Sequence, residues 1–170
     1  MNTDLTFRFA TEKDLPSIIE IYNSAVTEGV TSQSELASVQ SRLQWFRNHN
    51  TDTRPIWVAS DDINSPVLGW LSLQDFYGEP VYHHTAEISV YVKKETRRQR
   101  VATGLINMVL ENHNQLGVKT FLGLIYKDNL PSIKLFSDLG FVEYGLMPGV
   151  AKIKENIKDV VIMGYSVSPK

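Results

Sequence analysis

Apolar and polar residues alternate along "LTFRFA" (residues 5–10). The period then lengthens across "TEKDLPSIIEIYNSAV" (11–26), where Ile18, Ile21, Tyr22 and Ala25 share one helical face. The pattern predicts a strand followed by a helix, with Thr11 as N-cap and Asp14 three residues on, an aspartate version of the capping box. "TEGVTSQSEL" (27–36) is polar and reads as loop. Helical spacing returns in "LASVQSRLQWFRNH" (36–49) through Val39, Leu43 and Phe46, and Pro55 stops any continuation. Three strands are predicted next, "PIWVAS" (55–60), "VLGWLSLQDF" (67–76) and "TAEISVYV" (85–92), separated by turn-forming "DDINSP" and "YGEPVYHH". From Val101 a stripe of Val101, Leu105, Met108, Val109 and Leu116 predicts a helix that Gly117 terminates.

"KTFLGLIY" (119–126) is a nearly continuous apolar run, expected of a strand covered on both faces. "NLPSIKLFSDLGF" (129–141) reads as a helix capped by Asn129, with Pro131 in its first turn and Gly140 past its end. Two strands, "FVEYGLM" (141–147) and "DVVIMGYSV" (159–167), close the chain. With neither repeat nor linker, this order predicts a single domain over residues 1–170, a mixed α/β or α+β layer built around one sheet.

Composition narrows the chemistry. Of the 170 residues 42% are hydrophobic and 21% charged, ordinary globular usage, and the formal net charge of −2 argues against general nucleic-acid binding. The chain has no cysteine, which excludes a disulfide framework, a thiolate zinc site and a cysteine nucleophile, and fits a cytoplasmic protein. No uninterrupted apolar stretch occupies the first thirty residues, so neither a signal peptide nor a membrane span is expected. The four histidines show no recognisable ligand spacing with the carboxylates, and no metal is expected.

One stretch departs from the even distribution of charge: "ETRRQRVATGL" (95–105) puts Arg97, Arg98 and Arg100 just before a predicted helix. Cations are disfavoured there by the helix macrodipole, so local stability does not account for them. A solvated surface run is one reading. The other is an anion site, in which the N–H groups opening the helix and the guanidinium forks grip phosphate oxygens. The loop follows "ISVYV" directly, which places it at the carboxyl end of a strand, where ligands bind in α/β architectures.

From "AEISVYV" (86–92) through "ETRRQRVATGL" to "DNLPSIKLFSDLGF" (128–141), the chain resembles the acyl-CoA-binding half of the GNAT N-acetyltransferase superfamily. "YNSAV", "LQWF", "VLGWLSL" and "YHHTAEISVYV" resemble the phosphinothricin acetyltransferase family within it, whose members acetylate amines of small amino-acid-like compounds. The resemblance implies a central mixed, mostly antiparallel twisted sheet flanked by helices, acetyl-CoA as co-substrate, a small-molecule amine as acceptor, and a homodimer. The superfamily's pyrophosphate loop has Arg or Gln, two free positions, Gly, one free position, then Gly or Ala. Arg97 fills the first position and Ala102 the last, while Arg100 stands where glycine is usual. Its side chain either narrows the pocket or turns away toward the ribose phosphate.

By the same resemblance the cofactor-binding set is Val90, Tyr91 and Val92 on the strand, Arg97, Arg98, Gln99, Arg100, Val101, Ala102 and Thr103 at the loop and helix start, and Asn129 and Ser132. The last two equally suit a plain helix cap. Glu87 corresponds to the catalytic glutamate, and partial burial would raise its pKa into a useful range for a base; an exposed strand carboxylate or a structural ion pair is the competing reading. An N–H of Val90 or Tyr91 would steady the thioester oxygen. Many superfamily members carry a tyrosine where Phe136 stands, and Phe136 has no proton to give. Phe76, Tyr77, Tyr82 and His84 are candidate acceptor-site residues, and Trp45 either lines that site or packs in the core. Relatives often place an arginine for the substrate carboxylate in the turn that here reads "FYGEPVY"; Lys154 or Lys158 is the candidate replacement. An acyl-CoA-binding sensor without strong catalysis is the alternative function, and a nucleic-acid module using the basic stretch is a third.

Overall fold

The structure is a computed structural model that describes residues 5–31 and 35–167; residues 32–34, within the segment read as loop, lie outside it. In chain order the strands are β1 (Thr6–Phe9), β2 (Ile56–Ser60), β3 (Gly69–Asp75), β4 (Thr85–Val92), β5 (Thr120–Tyr126), β6 (Val142–Ile153) and β7 (Asn156–Ser166). The helices are α1 (Leu15–Glu28), α2 (Val39–Arg47), α3 (Val101–Glu111) and α4 (Leu130–Asp138). One sheet runs β1-β2-β3-β4-β5-β7-β6, and every neighbouring pair is antiparallel except β4 with β5. This is the mixed, mostly antiparallel architecture expected.

Strand alternation divides the interior in two. Leu71, Leu73, Ile88 and Phe121 join Leu105, Ile106 and Val109 of α3 on one side of the sheet. Val58 and Trp70 join Leu15, Ile18, Ile19, Ile21 and Tyr22 of α1 on the other. Gly104 lets α3 lie close to β1, since a Cβ there would come within 2.1 Å of the Phe7 ring.

Thr11 caps a 3-10 turn, Glu12–Asp14, and α1 itself begins after it at Leu15 with Asp14 as its N-cap, later than the sequence implies. Asp14 accepts the Thr11 N–H at 2.8 Å and two Arg8 guanidinium bonds at 2.8 Å. Burial opposes the charge on Asp14, but these bonds outweigh it and hold the carboxyl below the ordinary range. In α2, Ser38 and Ser41 cap each other reciprocally.

Four further expectations need correction. Helix α3 ends at Glu111, six residues before Gly117: the Asn112 amide bonds back to the Met108 carbonyl at 2.7 Å, and "NHNQ" offers poor helix formers, so Leu116 reaches the core from a turn. Helix α1 runs on through Thr27 and Glu28 to Gly29, whose φ of 70° ends it. Val39, read as part of the α2 stripe, is exposed. The last two strands are longer than their apolar runs: β6 continues past Pro148 and Gly149 because an edge strand tolerates the missing N–H and absorbs a register shift between Met147 and Ala151.

Candidate functional site

Strands β4 and β5 pair only from Thr85↔Thr120 to Glu87↔Leu122, then part, although β4 continues to Val92 and β5 to Tyr126. The Lys93 N–H donates to the Leu68 carbonyl at 2.8 Å. Because backbone groups alternate sides along an antiparallel strand, Tyr91 and Ser89 then face β3, while Val90 and Val92 turn their N–H and C=O toward the parted side. Of the two N–H groups considered for an acyl oxygen, Val90 is therefore the one that faces the opening. A cleft of about 840 Å³ occupies the notch, running from Glu28 and Val30 past β4 and the start of α3 to Asn129, Ser132 and Phe136. Leu124, read as covered on both faces, is open to this cleft.

The basic stretch forms one wall. Arg100 is the N-cap of α3 at φ 64°, and the first helical bond runs from the Gly104 N–H to the Arg100 carbonyl at 2.9 Å. The N–H groups of Val101, Ala102 and Thr103 accordingly have no intrahelical acceptor. Arg98 is also left-handed, at φ 65°. Two non-glycine residues in that region cost on the order of 1 kcal/mol each, strain of the kind that gathers at ligand clamps. Arg97 pairs with Glu28 at 2.8 Å and Lys158 pairs with Asp128, and all four line the cleft. Arg98 and Arg100 also line it and form no ion pair among the described residues. Asn129 accepts from the Ser132 N–H at 3.3 Å, which makes it the cap of α4 beside the cleft.

On the α1 and α2 side of the sheet lies a second cavity of about 220 Å³, lined by Tyr22, Arg42, Trp45, Trp70, Ser72 and Glu87 among others. Glu87 is half-buried, has neither a hydrogen bond nor an ion pair among the described residues, and burial pushes its carboxyl above the ordinary 4.5. The ion-pair reading of Glu87 therefore has no partner in the structure. The two cavities meet at Ser89 and Tyr91, which line both.

Residues 15–141 match the model of the Acetyltransferase (GNAT) family. The chain belongs to the GNAT acetyltransferase family. YwnH of Bacillus subtilis, which carries phosphinothricin acetyltransferase as a provisional name, is 37% identical over 165 residues, covering 96% of this chain and 100% of its own. An L-methionine sulfoximine/L-methionine sulfone acetyltransferase of Pseudomonas aeruginosa is 31% identical, covering 96% of this chain and 95% of its own. The crystal structure of a phosphinothricin acetyltransferase from Sinorhizobium meliloti in complex with acetyl-CoA superposes with a TM-score of 0.88 at 27% identity, covering 96% of this chain and 88% of that one.

Not every expected residue of this GNAT acetyltransferase reaches a cavity. Val101 is 1% exposed, packed against Gly69, so only its backbone faces the cleft. Gln99 lines neither cavity; its amide bonds to the Glu95 carbonyl. Phe76, Tyr77 and Tyr82 line neither and pack edge-on against one another, with Tyr77 80% exposed. His84 stacks on His83 and bonds to the Gly117 carbonyl, again outside both cavities. Lys154 sits exposed in the β6–β7 turn and Lys158 in the larger cleft, so neither replaces an arginine in the small cavity. Trp45 does line it. Arg42, Trp70 and Ser72 were missed. The available signal was "GWLSLQD", a central strand whose alternate polar residues share a face with Glu87 and Ser89, and Arg42 placed three residues before Trp45 on one helical face.

Proposed function

We propose that this chain transfers the acetyl group of acetyl-CoA to the primary amine of a small amino-acid analogue, acting in the cytoplasm as a homodimer. One observation carries the reading: the small cavity and the notch meet at Ser89 and Tyr91, within four residues of an unpaired, half-buried Glu87. Acetyl-CoA brings a reactive acyl thioester at one end of a pantetheine arm and anionic phosphates at the other. The chain suits both ends. The unpaired N–H and C=O groups of Val90 and Val92 offer the arm a strand to pair with, and the amides opening α3, with Arg98 and Arg100, face the phosphates.

In the small cavity the amine lies against β4. Its proton passes to Glu87 directly or through water, the new N–C bond forms as the C–S bond breaks, and the thiolate leaves with a proton. Tyr91 is the phenol that lines both cavities; burial raises its pKa and keeps it protonated, so it can donate where Phe136 cannot. No helix among the described residues is long and apolar enough to cross a membrane. The homodimer is supported by exposed Val142, Tyr144, Leu146, Val150 and Ile157 on the β6–β7 hairpin.

The direct test measures thiol release from acetyl-CoA over a panel of amino-acid analogues, polyamines and peptides. Release well above background is expected with small amino-acid analogues. A chain that binds acetyl-CoA tightly yet acetylates nothing on the panel would be a sensor instead.

Arg100→Gly separates the two readings of that side chain. Relief of about 1 kcal/mol of left-handed strain is offset by the 0.5–1 kcal/mol that glycine loses in entropy, so the melting temperature should hardly move. Acetyl-CoA affinity should fall about two- to fivefold, more at low salt, as one cation leaves the cleft. Tighter binding by the glycine variant would mean that Arg100 obstructs the phosphates.

A further inference from the structure

The small cavity contains more unpaired polar groups than an amine alone requires. Arg42 lies along it on α2, with its guanidinium 5.3 Å from the Tyr22 ring centre, and its side chain makes no hydrogen bond or ion pair among the described residues. A guanidinium keeps its charge at every physiological pH. Stacking on a ring satisfies its face and leaves its in-plane donors pointing outward. Trp70 and Ser72 line the same cavity, and their Nε1 and Oγ atoms are buried with no hydrogen-bond partner among the described residues. Buried donors left unpaired are costly, and these two lie in residues that wall the cavity.

Glu87 and Arg42 share this cavity without forming an ion pair. The complement of such a lining is a molecule with a cationic group at one place and an anionic, oxygen-bearing group at another. Its volume of about 220 Å³ equals about seven waters, enough for a small amino acid and too little for a stretch of peptide. Among the described residues, Arg42 is also the one cation that lines it.

We infer that Arg42 anchors the carboxylate of the acceptor, so that the cavity takes a free α-amino acid with its amine toward Glu87 and its carboxylate toward Arg42. The inference rests on the acetyltransferase reading above and assigns that site its specificity determinant.

The experiment compares L-methionine sulfone and other L-amino acids with their carboxamides, in wild type, Arg42→Ala and Arg42→Lys. The wild type should prefer each acid over its amide. Arg42→Ala should raise KM for the acids by about 10- to 100-fold, with kcat and the KM for the amides changed little. Arg42→Lys should recover part of the loss, since it restores the charge without the fork. A merely structural role would move acids, amides and acetyl-CoA affinity together. Equal use of acid and amide by the wild type, or equal damage to both in Arg42→Ala, overturns the inference. Should the wild type acetylate none of them, the reaction itself fails, and calorimetry with L-methionine sulfone still decides Arg42. Binding that disappears with the amide and with Arg42→Ala upholds the anchor, and absence of carboxylate-dependent binding overturns it.

Discussion

Glu87→Gln is expected to lower kcat by about 10²- to 10⁴-fold while leaving the Kd for acetyl-CoA within about twofold of wild type. The side chain of Glu87 points into the small cavity, on the opposite face of β4 from Ile88, and takes no part in the walls of the notch. Burial raises its pKa, so the acid limb of kcat/KM should lie above 4.5 in the wild type and vanish in the glutamine variant. The stability effect has a defined sign. Below 4.5 the carboxyl is protonated in folded and unfolded chains alike and costs nothing; as the pH rises through the higher folded value, the folded chain must carry a buried charge. Glu87→Gln should therefore raise Tm at neutral pH and leave it unchanged in acid. Equal losses of turnover and acetyl-CoA affinity would remove Glu87 from the role of base.

Thr103→Glu should separate helix stability from phosphate binding by moving them in opposite directions. A carboxylate in the first turn of α3 favours the helix by roughly 0.3–1 kcal/mol, so Tm should hold or rise. Against a phosphate held by the α3 amides as proposed, about 5 Å away, the same carboxylate would be repelled by about 3 kcal/mol per pair of charges at an effective dielectric of about 20. The Kd for acetyl-CoA should increase on the order of 100-fold, less at high salt, with kcat at saturating acetyl-CoA little changed. An affinity within threefold of wild type would place the phosphates away from α3.

Features written in local periodicity were legible before the fold was known. Alternation along "TAEISVYV" separates Glu87, Ser89 and Tyr91 from Ile88, Val90 and Val92, and the structure keeps that division. Asn129 caps α4, as an asparagine before "LPSI" implies. Other features arise only in three dimensions. Arg42 looks like any helical arginine until α2 packs over β3 and β4. The aromatics of the 76–82 turn have the composition of a pocket, but the turn folds them on one another. The resemblance makes Arg97 a phosphate ligand, whereas its partner Glu28 is 69 positions away and becomes visible only once α1 overshoots the expected loop.

The early parting of β4 from β5 also bears on cohesion. Among the described residues, β4 and β5 share three ladder pairs, Thr85↔Thr120 to Glu87↔Leu122, with the Lys119 and Thr120 N–H groups adding bonds to the His84 carbonyl just before them. Beyond Glu87 the two plates have no ladder between them, and a pantetheine arm lying there would act as a surrogate strand, bracing them only while the donor is aboard.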